Sequence, residues 1–230
     1  DGAVEHVGDG EDAGALRAVA EICRRLDGMP LALELAAGRT QVLSVHELAA
    51  RLDDSLDWLH DRGGDGRDRA LRSTIAWSFD LLDPPDRTLL GDLAVFDGGC
   101  DLAAAQAVAA RDRAAVLDGL ARLIDRSLVT TRTTDDGITR YGLLEAVRQF
   151  RRQEIDAAGR SAVLRERHAA HFADLASRAS RDLAGDEAGP WRARLEHDND
   201  NLRGALRWGL EGGTLATGLR LGAGLWRFWY

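Results

Sequence analysis

The chain has 230 residues, with 38 acids against 30 bases and a formal net charge of −8, and every one of those bases is Arg. Without a Lys it cannot carry a GxxxxGK[ST] phosphate loop, a Schiff-base or Ser–Lys nucleophile, or a kinase-type lysine. At 45% hydrophobic and 30% charged, it has the composition of a globular protein with room for one large or two small domains.

Residues 1–12 are rich in Gly and acids, and Asp1 stands where an initiator Met would, so a segment of a longer protein is expected. Leu16, Val19, Ala20, Cys23 and Leu26 then recur at helical spacing. Gly28 stops that helix and Pro30 starts the next, a run of Leu and Ala to about Arg39 that is expected to be buried. Ser44-Val45-His46-Glu47 is a capping-box pattern opening a third helix, and residues 61–68 form the clearest linker.

A helix through Leu71, Ile75, Trp77, Ser78 and Leu82 ends before Pro84-Pro85. Leu89, Leu90 and Leu93 mark a second helix, Asp101 can cap a third, and Val116, Leu117, Leu120, Leu123 and Ile124 mark a fourth. Ser127–Thr133 and Ile138–Tyr141 read as strands around the Asp136-Gly137 turn, before a helix from about Leu144 to Ala158. Helices followed by a two-stranded hairpin give the element order of a winged helix. From Ser161 the pattern is helical only: Ala162–Leu183, Trp191–Leu210 and Leu215–Trp229, joined by turns such as Glu211-Gly212-Gly213. Paired helices of this length suggest a solenoid of which one and a half repeats are present, and the terminal Trp226, Phe228, Trp229 and Tyr230 suit an unpaired repeat face. The expected fold is therefore mainly α: a helical subdomain over 1–62, a winged helix with a short β-hairpin over 63–158, and the start of a tetratricopeptide-like solenoid over 159–230.

The stretch Ile22–Ala37, with Gly28-Met29-Pro30-Leu31-Ala32, resembles the GLPLA region of NB-ARC, or STAND-class, signalling ATPases. Leu71–Leu82, Leu123–Val129 and Tyr141–Phe150 are similar to the winged-helix region of large bacterial transcription regulators of the AfsR/SARP and LuxR types. Glu196–Trp208 resembles the start of their tetratricopeptide-like sensor. The resemblance covers nearly the whole chain from residue 13. It implies a regulatory lid and sensor segment of an ATP-dependent transcription regulator. An upstream nucleotide-binding domain of the same protein would hold ATP or ADP with Mg, so this segment would hold no cofactor and have no enzymatic activity of its own. Gly28, Met29, Pro30 and Leu31 would then touch nucleotide, although spacing alone reads them as a helix–helix turn. The family's MHD triplet falls on Leu143, Leu144 and Glu145, so its phosphate-sensing His has no counterpart; the two leucines fit a core, and Glu145 a solvated or Arg-paired position.

The alternative is a DNA-binding winged-helix module with a helical dimerisation tail. Against it, the candidate recognition helix Ala114–Arg126 balances Asp118 and Asp125 against Arg122 and Arg126. Charge is also uneven: residues 1–64 hold 6 Arg and 13 acids, 65–150 hold 11 and 14, and 151–230 hold 13 and 11. The resemblance places DNA contact in a separate domain, and a protein or small-molecule ligand at the helical repeats. Two cysteines are too few for a disulfide framework, and no apolar run approaches the ~18 residues of a membrane span, so a cytoplasmic protein is expected with no membrane partner. Cys23 reads as core and Cys100 as a turn residue without an activating His. His168 and His171 form an HxxH pair expected to face solvent, without the further ligands a metal needs.

Overall fold

A computed structural model describes residues 9–26, 30–40, 43–50, 75–76, 78–183 and 188–230. The chain divides into two compact units, Asp1–Asp83 with Asp125–Ser127, and Pro84–Ile124 with Leu128–Tyr230. The linker expected at 61–68 and the start of the helix expected from Leu71 lie outside the described residues.

In the first unit, α1 (Asp9–Arg25) and α2 (Pro30–Ala37) pack with a helical turn at 45–50. Their shared core is Ile22, Leu26, Ala36 and Leu48. The buried stripe of α1 is Ala18, Ile22 and Leu26, while Leu16 is 70% exposed and Val19 43%. The apolar stripe expected through Leu16 and Val19 is thus rotated, because the i, i+4 series from Ala18 alone points at α2 and the third helix. The capping box forms as its spacing requires: the Glu47 backbone N–H donates to Ser44 Oγ at 3.3 Å, and the Ser44 N–H donates to the Glu47 carboxylate at 2.9 Å. Arg39 is buried and donates to the Ser78 carbonyl at 3.0 Å. Burial, with Arg126 nearby, lowers its pKa to about 10, so it stays charged at neutral pH.

The second unit opens with α3 (Pro84–Leu93), α4 (Leu102–Ala109) and α5 (Arg113–Asp125). Pro84 and Pro85 start α3, where a missing N–H costs nothing. Asp101 caps α4, its carboxylate accepting the Ala104 N–H at 2.8 Å. Leu89, Leu90, Leu93, Phe96, Val116, Leu120, Leu123 and Val147 form the apolar centre of this three-helix body. Strands β1 (Thr130–Thr133) and β2 (Thr139–Gly142) pair antiparallel, with Arg132 opposite Arg140. Cys100 adds a bridge to Tyr141, so the wing is pinned to the turn between α3 and α4. Gly99 permits this approach: its φ is +82°, and a Cβ there would sit 2.6 Å from the Tyr141 carbonyl oxygen. Helix α6 (Glu145–Ala157) closes the winged helix.

The tail comprises α7 (Ser161–Asp182), α8 (Ala188–His197), α9 (Asn199–Glu211) and α10 (Leu215–Trp229). The single helix expected over Trp191–Leu210 is two, broken at Asp198, whose buried carboxylate turns inward to Arg140. Helices α7, α9 and α10 share Phe172, Leu175, Ala176, Leu202, Ala205, Leu221 and Leu225, all fully buried. Small residues let the backbones meet: a Cβ on Gly209 of α9 would lie 2.7 Å from the Cα of Gly218 of α10. Trp226 is 54% exposed and Tyr230 fully so. Among the described residues the architecture is mainly helical with one two-stranded sheet in a winged helix, as the residue pattern predicts. No helix among the described residues is long and apolar enough to cross a membrane.

Candidate functional site: the wing cleft

The hairpin register places two arginines on one face of the wing. Thr134 and Ile138 close a loop whose turn uses Gly137 at φ +77°, so Arg132 stands opposite Arg140. Arg140 is buried, and its guanidinium donates to Asp198 at 2.7 Å and to the Gly99 carbonyl at 3.0 Å. Arg132 is exposed and makes no hydrogen bond or ion pair among the described residues. Like charges facing across a ladder repel, and only one of the two is neutralised here.

Both arginines line a cleft of about 390 Å³ between the wing, the 96–100 turn and the start of α6. Arg148 adds a third guanidinium, held by the carboxylate of Asp97 at 2.5 Å and by Glu145. Glu145 is the one acid in the lining, and its hydrogen bonds from Gln149 and Arg148 hold its carboxyl below the ordinary range. The cleft thus carries three guanidinium groups, but Arg140 is paired with Asp198 and Arg148 with Asp97 and Glu145, so of the three only Arg132 is open to an anion. Cys100 at its back is buried, which pushes its thiol well above the usual range and leaves it a packing atom.

Of the positions expected from sequence, Leu143 and Glu145 line this cleft, and Leu144 is the N-cap of α6 without a side-chain bond. Both leucines are half-buried, not core, because they sit where the strand leaves the sheet. Glu145 is Arg-paired as its spacing suggests. Gly28 and Met29 lie outside the described residues; Pro30 and Leu31 open α2 in the other compact unit, and their side chains are not among those described. Residue-by-residue reading missed Arg132, Arg140 and Arg148. The first two were accessible from the three-residue loop, which fixes the register, whereas Arg148 needed the third dimension.

The candidate recognition helix, α5, exposes Ala114, Leu117, Asp118, Ala121, Arg122 and Asp125. Arg122 is engaged: it donates twice to Asp86, at 2.8 and 2.7 Å. The middle of α5 therefore presents apolar and acidic groups. His168 does not face solvent as the HxxH spacing suggests; it is 4% exposed and packs against Phe96 and Phe172. Burial lowers its pKa to about 4. Among the described residues no cluster of His, Cys, Asp or Glu could hold a metal.

Residues 82–156 match the family model of a winged helix-turn-helix domain. The chain is 41% identical over 220 residues to proteins of Mycobacterium tuberculosis (strain H37Rv) and Mycobacterium bovis that carry the name "Putative HTH-type transcriptional regulator". That alignment takes in 93% of this chain and 24% of each relative, so the chain spans about a quarter of their length. An uncharacterised Mycobacterium tuberculosis protein is 40% identical over 160 residues, covering 67% of this chain and 40% of its own. No solved structure matches.

Proposed function

We propose that the chain is the winged-helix segment of a transcription regulator and that it meets duplex DNA through phosphate contacts from its wing. The observation that carries this reading is Arg132, an exposed guanidinium without a partner among the described residues, on a strand whose other residues, Thr130, Thr131 and Thr133, are exposed hydroxyls. Arg113, exposed at the start of α5, is a second cation open to a phosphate. The winged helix-turn-helix match and the names of the mycobacterial relatives support the reading. Because mid-α5 offers no bidentate base reader, the contacts are backbone contacts, which position without specifying sequence. Fluorescence anisotropy with a labelled duplex at low salt tests this. Binding is expected with a log–log salt slope of about −2, as two phosphate contacts give. Arg132→Ala is expected to halve that slope; no binding at low salt, or an unchanged slope, refutes the reading.

A second reading is favoured by the residues that line the cleft. There the segment is the regulatory lid and sensor of an ATP-dependent regulator, and the wing cleft faces the phosphates of a nucleotide held by an upstream domain. Glu145 and Leu143, at the positions of the family's phosphate-sensing triplet, line that cleft with three arginines. Nucleotide state would shift a closed form against an open one, and the tail would take a protein or small ligand. Phosphate release from ATP by this chain above a buffer blank would refute it, since the reading puts hydrolysis entirely upstream.

A further inference from the structure

We propose that the crevice where α6 of the winged helix meets α7 and α9 of the tail binds a small planar carboxylate, of the class of single-ring aromatic acids. The cavity measures about 210 Å³. That is below the range of about 300–1,000 Å³ typical of sites for drug-sized molecules, so it suits one ring and is too small for a nucleotide.

The crevice is built as a plate and a clamp. Trp208 is the plate: its indole N–H donates to Glu166 at 3.2 Å, and the Thr214 hydroxyl donates to the same carboxylate at 3.0 Å. Those bonds fix the ring plane, and Gly212 and Gly213 lie close against the ring. The Arg165 guanidinium lies over the Trp208 ring, 5.5 Å from its centroid; a ligand ring laid on the indole would take that place, with Arg165 turning to its carboxylate. Ile155 and Leu164, both buried, supply an apolar wall.

Arg165 and Arg207 form the clamp. Arg165 has a long ion pair to Asp156, at 3.9 Å, which leaves most of its donors open. Arg207 is exposed and makes no hydrogen bond or ion pair among the described residues. Arg152, by contrast, is spent on the Ala94 and Val95 carbonyls at 2.7 and 3.2 Å and on Asp97 at 2.9 Å.

Asp97, Asp156 and Glu211 balance the three arginines of the lining, so a net field holds no anion here; the open donors of Arg165 and Arg207 do, and they suit the one planar fork of a carboxylate. A ring on Trp208 would touch the winged helix through Ile155 and the tail through Leu164, so binding would tie the two together.

The test is an NMR titration of the whole chain, reading the indole N–H resonance of Trp208, which is assigned by its loss in Trp208→Phe. The probes are sodium benzoate, sodium acetate and inorganic phosphate at matched ionic strength. Benzoate is expected to shift that resonance saturably, with a dissociation constant of about 1 mM, the weak affinity of a small fragment. Arg207→Ala is expected to weaken binding about tenfold, as loss of a charge-assisted hydrogen bond does; Arg165→Gln is a second variant at the same clamp. Acetate and phosphate are expected to bind at least tenfold more weakly. No saturable shift with benzoate, an affinity in both variants unchanged from that of the unaltered chain, or tighter binding of phosphate than of benzoate would each overturn the proposal.

Discussion

Arg140 of the wing and Asp198, at the break between α8 and α9, form an ion pair of 2.7 Å in which each side chain is only 4% exposed. A buried pair gains little over a well-packed apolar replacement, but breaking it strands a charge. Asp198→Ala is expected to cost about 3–5 kcal/mol of unfolding free energy. The joint replacement Arg140→Met with Asp198→Leu is expected to cost far less than that single change. Urea denaturation followed by circular dichroism distinguishes them; equal losses in the single and double variants would show that the pair is not coupled.

Arg122 and Asp86 give a second prediction, which separates stability from DNA contact. Asp86 is buried in the first turn of α3 and takes both guanidinium bonds, while Arg122 is half exposed. Arg122→Ala removes the carboxylate's partner and is expected to cost about 1–3 kcal/mol, the lower range applying because water reaches the arginine. Its duplex affinity is expected to match that of the unaltered chain, since Arg122 is already occupied. A loss of duplex binding with unchanged stability would reverse these roles.

His168 predicts a pH dependence. Its folded pKa is lowered to about 4 from an ordinary value of 6.5, chiefly by burial, against small opposing effects of Asn201 and Asp97. Between those values the unfolded chain binds the proton and the folded chain does not. The histidine's contribution is therefore complete above about pH 6.5 and is lost as pH falls toward about 4, with a slope of at most about 1.4 kcal/mol per pH unit. His171 is lowered in the same direction by its own burial, and Asp92, whose pKa burial raises, acts in the opposite sense. His168→Phe, between Phe96 and Phe172, is expected to fold and to flatten the acid limb of a stability–pH profile. An acid limb identical to that of the unaltered chain would rule this out.

Gly209 predicts a packing effect. A methyl there would meet the Gly218 Cα at 2.7 Å, and both are backbone positions that cannot yield without separating α9 from α10. Gly209→Ala is expected to cost about 1–3 kcal/mol despite its higher helix propensity. An unchanged or raised melting temperature would mean that the two helices slide apart freely.

Local chemistry was legible in the sequence wherever it is decided within one turn. The Asp101 cap, the Ser44–Glu47 box, the Asp136-Gly137 hairpin and the helix opening at Leu215 follow from residues within a few positions of one another. What escaped is decided between segments. Leu16 and Val19 look like a core stripe until the neighbouring helices choose Ala18 and Ile22 instead. His168 resembles a surface histidine until Phe96 and Phe172 enclose it. The break at Asp198 has no Pro or Gly to announce it, and the carboxylate there pairs with an arginine 58 residues earlier. The wing cleft was half legible, since turn length fixes Arg132 opposite Arg140 while Arg148 arrives on a different element.

Asn201 ties the order of events during synthesis to this geometry. Its side-chain oxygen accepts the Asp97 N–H at 2.8 Å, and its amide donates to the Gly99 carbonyl at 2.8 Å and to Asp198 at 3.4 Å. The Asp97 contact closes a loop of 104 residues, an entropic cost that is met late. The turn that pins the wing therefore stays short of its hydrogen bonds while the chain is still being made. A ribosome must have released residue 201 before the winged helix, whose own last residue passed out more than forty positions earlier, can be finished.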